Sequence, residues 1–300
     1  MTVSSAAQSS STAHSSGDVP SNIFKPTAPL EARVLENRRL TAPDSPNDVR
    51  HLVFDIAGSG LHYHEGQSIG ILPPGTDAAG KPYKLRLYSI ASARQGDDGE
   101  EKTLTLCVKR AITIDPQTGQ EFKGVCSSFL CDLQPGASAK LTGPVGKSFL
   151  LPESPDANLV MVATGTGIAP FRAFLKHRPL SESAQAWLFF GAQTRQDYLY
   201  QEEMEAFNQQ KSCQVITAFS REEKNADGSR MYVQHRLAEH GETLFNLLKQ
   251  PNTYFYMCGL RGMEAGIQEG MQAIAEQEGI AWSDFVATLK SEKRWHVEVY

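Results

Sequence analysis

The chain has 300 residues, more than one ordinary core accommodates, so we expect two domains. Its 40% hydrophobic and 21% charged residues can build a sizeable interior, and the net charge of -5 argues against nucleic acid as a partner. The five cysteines form no CxxC pair, which argues against zinc and favours a reducing compartment. No uncharged apolar stretch approaches the roughly 18–20 residues of a membrane span, so no transmembrane segment is predicted.

Residues 1–20 consist mainly of small and polar side chains and contain neither lysine nor arginine. Such a composition cannot bury enough apolar surface to offset the entropy lost on ordering, so we predict a disordered tail. An organelle transit peptide is the alternative, although such peptides are rich in arginine.

Residues 33–151 alternate short β-like runs with turn clusters, as in HLVFDI, QSIGIL, KLRLYSI, TLTLCVKR and SAKLTG. This pattern predicts an antiparallel Greek-key β-barrel. Alternation within TLTLCVKR places Leu104, Leu106 and Val108 on the face that lines the barrel. One helix is expected to start near Ser127, whose hydroxyl would cap it and leave its first amides facing an anion.

After Pro155 the sequence changes to continuous apolar strands, such as NLVMVAT, AWLFFGAQ, CQVITAFS and TYFYMCG, which alternate with amphipathic helices. This order predicts an α/β doubly wound parallel sheet with helices on both faces. We therefore divide the rest of the chain into a barrel domain at 21–153 and an α/β domain at 154–300. Ligands of such sheets bind beyond the carboxyl ends of the strands.

The first strand of the second domain runs into the segment GTGIAP at 165–170 and then into a helix. Glycines in such a turn permit close approach of the backbone, and free amides at a helix start attract phosphate. Thr166 adds a hydroxyl at the mouth of this turn. A plain tight turn without a ligand is the alternative interpretation.

Polar side chains cluster after the third strand of that domain, with Ser220 and Arg221 ahead of a turn and Arg230 and Tyr232 behind it. Two guanidinium groups and a hydroxyl can bind a phosphate monoester, and a tyrosine ring can stack on adenine. Because a 2′-phosphate distinguishes NADP from NAD, this cluster favours NADP. The alternative is a solvated hairpin of mixed charge.

Three further segments carry aromatic, thiol and carboxyl groups that can contact a planar cofactor. RLYS in the first domain places Arg86 and Tyr88 on one face of a strand. Cys258 emerges at the end of the fourth parallel strand, where a thiol can pack against nicotinamide, although a core cysteine is the commoner case. The terminal WHVEVY places Glu298 and Tyr300 on one face of a last strand.

A metal site is not expected in this sequence. His62 and His64 have a His-x-His spacing, but no third histidine, cysteine or carboxylate cluster completes a ligand set. The sequence also lacks the GxSxG and GxxxxGK[ST] motifs, which argues against a serine hydrolase and a P-loop ATPase.

Six ordered segments, RLYSIAS, GVCSSFL, GTGIAPFR, SREEKNADGSRMY, MCGLRGME and WHVEVY, together resemble plant-type ferredoxin–NADP reductases of cyanobacteria and chloroplasts, from about residue 20 onward. The resemblance implies an FAD-binding barrel and an NADP-binding domain. It also implies that FAD takes electrons singly from reduced ferredoxin or flavodoxin and passes a hydride from N5 to NADP+. The alternatives are a related NADPH-dependent flavin reductase, working in reverse or on another acceptor, and a nucleotide-sensing module without turnover.

The resemblance also implies roles for individual residues. Tyr88 and Tyr300 would cover opposite faces of the flavin ring, and Glu298 would pair with Ser89. The catalytic residues would be Ser89, Cys258, Glu298 and Tyr300. The cofactor-binding residues would be Arg86, Tyr88, Ser89, Cys107, Lys109, Val125, Cys126, Ser127, Thr166, Ser220, Arg221, Arg230, Tyr232, Gln234, Gly259, Leu260 and Tyr300.

One position departs from the pattern of the family. Four residues beyond the position of Lys109 the family has a tyrosine that packs on the adenine of FAD, and this chain has Thr113 there. The resemblance therefore does not indicate how this chain holds the adenine.

The protein partners that the resemblance implies are ferredoxin and, alternatively, flavodoxin. Both are acidic electron carriers, so a local basic rim is expected. The candidates for this rim are Arg33, Lys81, Lys84, Lys290, Lys293 and Arg294. The implied location is the cytoplasm of a cyanobacterium-like cell, with peripheral association at the cytoplasmic face of thylakoids, or alternatively the plastid stroma.

Overall fold

A computed structural model describes residues 19–177, 181 and 183–300 of the chain. The tail predicted at 1–20 therefore lies outside the described residues, except for Val19 and Pro20. The carbonyl oxygen of Pro20 accepts a hydrogen bond of 2.7 Å from the buried Gln67 side chain. The described chain thus begins in contact with the first domain.

The first half of the chain is built mainly from antiparallel strands. Its strands are β1 (Leu30–Arg39), β2 (Val49–Asp55), β3 (Ser68–Leu72), β4 (Arg86–Ser89), β5 (Thr103–Lys109), β6 (Ile112–Ile114), β7 (Glu121–Lys123) and β8 (Ser138–Val145). Helix α1 (Val125–Asp132) follows β7. Six strands form one sheet in the order β4-β3-β8-β1-β2-β5, while β6 and β7 form a separate hairpin.

The six-stranded sheet curls until its two edges meet. An antiparallel bridge between Ile90 and Leu106 joins the edge that β4 forms to β5. Leu104, Leu106 and Val108 are buried in the core of the barrel, as predicted. Cys107 points to the opposite face and is also buried, because this wall of the barrel packs against the second domain.

The second half alternates strands and helices. Its strands are β9 (Asn158–Thr164), β10 (Ala186–Ala192), β11 (Cys213–Phe219), β12 (Thr253–Gly259) and β13 (Trp295–Val299). Its helices are α2 (Ile168–His177), α3 (Gln201–Asn208), α4 (Val233–Glu239), α5 (Gly241–Leu248), α6 (Gly262–Gln277) and α7 (Trp282–Ser291). The strands are parallel in the order β11-β10-β9-β12-β13.

Both faces of the parallel sheet are covered. Val160 and Val162 of β9 belong to a core that includes residues of α4 to α7, whereas Leu159 and Met161 face the residues of α2. A strand buried on both faces has to be apolar throughout, which explains the uninterrupted run NLVMVAT. The predicted fold class, an antiparallel barrel followed by a doubly wound parallel sheet, is confirmed.

Buried charges join the two domains. Arg172 on α2 is 2% exposed, and its guanidinium donates a hydrogen bond of 2.9 Å to the carbonyl oxygen of Ala91 in the barrel domain. It also forms ion pairs with Asp97 and Glu203 at 3.1 and 2.9 Å. Burial is the largest single effect and opposes ionisation of Asp97, but the charges and hydrogen bonds of Arg172, Thr105 and Lys176 together outweigh it and lower the pKa of Asp97 to about 2. No pattern in the sequence indicates this connection.

Candidate active site

The carboxyl ends of β9 and β12 approach each other closely. A Cβ atom at Gly167 would lie 2.0 Å from the carbonyl oxygen of Cys258, so only glycine fits there. Gly259 has a φ of +148°, and a Cβ atom on it would lie 2.3 Å from Oγ1 of Thr164. The same Thr164 oxygen accepts a hydrogen bond of 3.1 Å from the amide of Leu260. These glycines bring the strand ends together at the edge of the sheet where ligands bind.

A cavity of about 540 Å³ opens at this edge of the sheet. The predicted nucleotide-binding residues that line it are Lys109, Thr166, Ser220, Arg221, Arg230, Tyr232, Gln234 and Leu260. Lys109 belongs to the barrel and the others to the second domain, so the cavity lies between the domains. Its volume and its position suit a dinucleotide.

Two arginines and Lys109 give the cavity its positive charge. Arg221 and Arg230 lie on either side of a turn that a backbone bridge between Lys224 and Arg230 closes. Both side chains are exposed, and within the described residues neither forms an ion pair with a carboxylate. Their guanidinium groups are therefore available to an anion, and Tyr232 lies beside them on the same wall.

Asp197 lines the same cavity and was not predicted. Its carboxylate accepts hydrogen bonds from Ser45 at 2.7 Å and from Asn47 at 3.0 Å, which hold the loop between β1 and β2 against the second domain. Asn47 and Gln193 also line the cavity. The polar segment QTRQD directly after β10 is the signal that could have identified this region, because it follows the carboxyl end of a parallel strand.

Cys258 is the centre of the predicted catalytic residues. It lies directly opposite Glu298 in the pairing of β12 with β13, and its thiol interacts with the hydroxyl of Ser89 from the barrel. Burial, and after it the Glu298 carboxylate, raises the pKa of Cys258 to about 12. The thiol is therefore protonated at neutral pH and is not a nucleophile of the thiolate type.

Glu298 lies in an environment that favours its neutral form. Burial raises the pKa of Glu298 to about 7, so this carboxyl group can take up or release a proton near neutral pH. The pairing of Glu298 with Ser89 that the resemblance implied is not found. In the described part of the chain no hydrogen bond joins the two side chains, and the pairing stays a prediction for the protein with its ligands bound.

Tyr300 lies over the turn at Gly165–Gly167. Its hydroxyl oxygen is 2.5 Å from Oγ1 of Thr166, and the residue as a whole is 58% exposed. Its backbone amide donates to the Gly259 carbonyl oxygen at 3.0 Å, which continues the pairing of β13 along β12. The Tyr300 ring is therefore placed at the mouth of the cavity.

Arg86, Tyr88 and Cys126 form a second group of predicted residues in the barrel domain. The Tyr88 hydroxyl interacts with the Cys126 thiol, and the Arg86 charge acts on both groups. Cys126 lies in the first turn of α1. The helix begins after Gly124, no side chain caps its start, and its first turn contains no acidic residue. The first amides of a helix have no intrahelical partner, so they and Arg86 form a donor set suited to a phosphate group.

The prediction that Ser127 caps α1 is wrong. The helix begins at Val125, so Ser127 is already inside it. Its Oγ accepts a hydrogen bond of 3.0 Å from the Ala111 amide and donates one of 3.2 Å to the Gly124 carbonyl oxygen. The hydroxyl thus ties the helix start to the corner after β5, and the helix amides stay free for a ligand.

This donor set fits the pyrophosphate of a flavin dinucleotide. The Ser128 Oγ in the first turn of α1 is buried, and among the described residues it has no hydrogen-bond partner. Val125 exposes a large apolar side chain at the same helix start, and Tyr88 is a half-buried aromatic ring next to Cys126. Such a site combines free donors with apolar surface, as dinucleotide sites do.

Cys107 is a predicted cofactor contact that the structure places in the core between the domains. Its thiol interacts with the hydroxyl of Tyr200, and burial raises the pKa of Cys107 to about 12. Its contact with a cofactor stays a prediction.

The structure removes one residue from the predicted basic rim. Arg294 is buried, and its guanidinium donates to the carbonyl oxygens of Leu248, Gln250 and Thr253. Its inclusion was wrong, because these backbone acceptors hold the charge inside the protein. The remaining candidates are exposed: Arg33, Lys81, Lys84, Lys290 and Lys293.

In the part of the chain that the structure describes, no helix is long and apolar enough to pass through a membrane. No group of three or more histidine, cysteine, aspartate or glutamate side chains there could hold a metal ion.

The fold and the site define a two-domain oxidoreductase with a cavity that suits a dinucleotide between its domains. Residues 161–269 match the family model described as an oxidoreductase NAD-binding domain. The chain is 49% identical to a ferredoxin–NADP reductase of Spirulina sp over 291 residues, which are 94% of this chain and 99% of that protein. It is also 49% identical to the leaf-type chloroplastic ferredoxin–NADP reductase of Nicotiana tabacum, over 93% and 79% of the two chains.

A solved structure agrees with these sequence comparisons. The ferredoxin–NADP+ reductase of Plasmodium falciparum superimposes with a TM-score of 0.73 at 28% identity, over 93% of this chain and 99% of that one. The chain therefore belongs to the ferredoxin–NADP reductase family, whose members are oxidoreductases that use FAD and NADP. The resemblance predicted from its motifs is confirmed.

Proposed function

We propose that this protein is a ferredoxin–NADP reductase that transfers electrons between ferredoxin and NADP+ by way of bound FAD. The observation that carries this proposal is the meeting of two sites at the domain boundary. The cavity that Arg221 and Arg230 line opens beside Thr166, whose hydroxyl contacts Tyr300. Cys258, near the end of β12, interacts with Ser89 of the barrel. A nucleotide in the cavity and a flavin on the barrel are thereby brought together.

The barrel domain holds the flavin. Bound FAD supplies the exchange between single-electron and hydride transfer. Arg86 and the free amides at the start of α1 bind its pyrophosphate, and the aromatic ring of Tyr88 contacts its ring system.

The second domain holds NADP(H). Arg221 and Arg230 bind the 2′-phosphate, for which a charge-assisted hydrogen bond from each guanidinium supplies selectivity over NAD(H). Tyr232 stacks on the adenine, and Lys109 reaches the pyrophosphate from the barrel.

Residues between the two domains organise the reaction. The Cys258 thiol is neutral and packs beside the nicotinamide without reacting with it. Glu298 holds a proton near neutral pH within reach of this region. Tyr300 covers the site and excludes water until the nicotinamide displaces its ring.

Ferredoxin is the proposed electron carrier, and flavodoxin is proposed as its substitute. The exposed basic side chains at Lys81, Lys84, Lys290 and Lys293 supply the rim that an acidic carrier requires. We also propose a location in the cytoplasm at the face of thylakoids, or in the plastid stroma. The cyanobacterial and chloroplastic sources of the relatives support this location.

Three measurements on the purified protein test this function. We expect a visible flavin spectrum that NADPH bleaches, and reduction of cytochrome c by NADPH that depends on added ferredoxin and weakens with salt. NADH in place of NADPH is the control for the nucleotide. A yellow protein that reduces dyes but neither ferredoxin nor flavodoxin would instead be a related flavin reductase. A colourless protein that FAD cannot reconstitute would be a nucleotide-sensing module.

A further inference from the structure

The hairpin of β6 and β7 exposes large apolar side chains. Phe122 is 51% exposed and Ile114 is 62% exposed. An isolated two-stranded hairpin is only marginally stable in water, so a ligand that packs on an exposed ring such as Phe122 would stabilise it. We propose that Phe122 is the aromatic platform on which the adenine of FAD stacks in this protein. This inference rests on the proposed function, because it assigns a further residue to the flavin site.

The hairpin is attached to the elements that hold the pyrophosphate. The Gly124 amide donates to the Ala111 carbonyl oxygen at 2.8 Å, and the Ala111 amide donates to Oγ of Ser127 at 3.0 Å. These two hydrogen bonds join the base of the hairpin to the start of α1. Since a strand rises about 3.3 Å per residue, Phe122 lies about 7 Å along the chain from Gly124. In FAD one ribose separates the pyrophosphate from the adenine, so a dinucleotide bound at the helix start reaches the hairpin.

The register of the hairpin decides which face Phe122 occupies. Thr113 pairs directly with Phe122, and directly opposite residues of an antiparallel pair project to the same face. Ile112 and Ile114 project to the other face. The Phe122 ring therefore occupies the face on which an aromatic side chain at position 113 would lie. In this chain the aromatic ring on that face stands on β7, opposite Thr113.

Stacking by Phe122 has a consequence that depends on the ligand. A base stacked on an aromatic side chain loses about tenfold or more in affinity when that side chain is truncated to alanine. FMN contains the flavin ring and a phosphate but no adenine. A contact to the adenine therefore contributes to binding of FAD and not to binding of FMN.

The experiment compares the affinities of the apoprotein for FAD and FMN, measured by quenching of flavin fluorescence. For Phe122→Ala we expect FAD binding about tenfold or more weaker and FMN binding unchanged, whereas Phe122→Trp retains the affinity for FAD. Ile114→Ala is the matched control, because it removes an equally exposed apolar side chain from the other face of the hairpin. It is expected to change neither affinity.

A double variant tests whether an aromatic ring at position 113 can replace the ring of Phe122. Adding Thr113→Tyr to Phe122→Ala is expected to restore FAD binding, since both side chains lie on one face. Equal FAD affinity of Phe122→Ala and the parent protein, or an equal loss of FAD and FMN affinity, would overturn the inference. A parent apoprotein that binds neither flavin would overturn the proposed function itself, and the inference with it. Circular dichroism of the variants checks that the fold is kept.

Discussion

The hydroxyl oxygens of Tyr300 and Thr166 lie 2.5 Å apart, and this contact joins the end of β13 to the glycine turn after β9. Any ring that enters the cavity at this point has to replace it. We therefore expect Tyr300→Ser to bind NADP+ more tightly, by about tenfold, and to release it more slowly, because no aromatic ring has to be displaced. Isothermal titration of NADP+ and stopped-flow release measure both effects.

The control for this prediction is Tyr300→Phe, which keeps the ring and loses the hydroxyl bond to Thr166. It is expected to stay within about threefold of the parent affinity, since this hydrogen bond is exposed and an exposed bond contributes near the lower end of about 0.5–1.5 kcal/mol. Unchanged NADP+ affinity in Tyr300→Ser would rule out the role of Tyr300 as a cover.

Removal of both Arg221 and Arg230 is expected to abolish most of the preference for NADPH over NADH. Each guanidinium makes a hydrogen bond of the charged type worth about 1.5–3 kcal/mol, so the ratio of the two kcat/KM values should fall by a factor of about 100 or more. Lys224→Gln is the control, because this exposed cation lies on the same turn but does not line the cavity. If the ratio of the kcat/KM values for NADPH and NADH is unchanged in the double variant, other residues bind the 2′-phosphate.

Glu298→Gln is expected to change how stability depends on pH. Because burial raises the pKa of Glu298 to about 7, the folded protein binds this proton more tightly than the unfolded chain does. The bound proton of Glu298 contributes its full amount to the free energy of unfolding below the unfolded pKa of about 4.3, and this contribution is lost as the pH rises through 7. The variant should therefore gain about 2–3 kcal/mol relative to the parent protein between pH 4.3 and pH 8.

Urea unfolding of the two FAD-loaded proteins at several pH values measures this difference. Glu269→Gln on the exposed side of α6 serves as the control for loss of a carboxylate. A constant difference between Glu298→Gln and the parent protein over this range would contradict the assignment.

Arg172→Leu is expected to lower the free energy of unfolding by about 3–5 kcal/mol, because it leaves the carboxylate of Asp97 without its buried partner. The pKa of Asp97 is lowered to about 2, so this stabilisation is present above the unfolded pKa of about 3.9 and is lost as the pH falls towards 2. The gap between variant and parent should therefore narrow below pH 4. Denaturant titrations at pH 7 and pH 3 test both statements.

Arg195→Leu provides a matched comparison for Arg172→Leu. Arg195 is also paired with two carboxylates, but its side chain is 68% exposed. Exposed ion pairs contribute about 1 kcal/mol or less, so this variant should remain close to the parent protein. Equal losses in the two arginine variants would show that burial is not what makes the Arg172 pair strong.

The parts of the fold that were predictable are those in which local pattern and burial agree. The apolar run NLVMVAT predicts a strand covered on both faces, and β9 is buried on both faces. The glycines after it predict a close approach of the backbone, and Gly167 lies against the end of β12. Alternation within β5 likewise placed Leu104, Leu106 and Val108 inside the barrel. In each case one segment carries its own signal.

The errors concern residues whose partners are distant in the sequence. Serine is a residue type that often caps helices, but the Ser127 hydroxyl accepts a hydrogen bond from the amide of Ala111, which lies sixteen positions away. Arg294 was predicted to lie on the surface, yet backbone carbonyls from other elements hold it inside the protein. No prediction was made for Arg172, which a carbonyl oxygen and carboxylates hold inside in a similar way. A local sequence pattern does not indicate which distant acceptors the fold places beside a charged side chain. The positions of these residues could therefore be determined only from the structure.

The bond from Arg172 to Ala91 has a consequence for how the protein is assembled. Arg172 belongs to the helix that starts at the glycine turn, and Ala91 follows the strand that carries Tyr88 and Ser89. This hydrogen bond holds the helix after the glycine turn against the barrel segment that follows Tyr88 and Ser89. The two sides of the cavity are therefore joined by a buried contact of the folded chain itself.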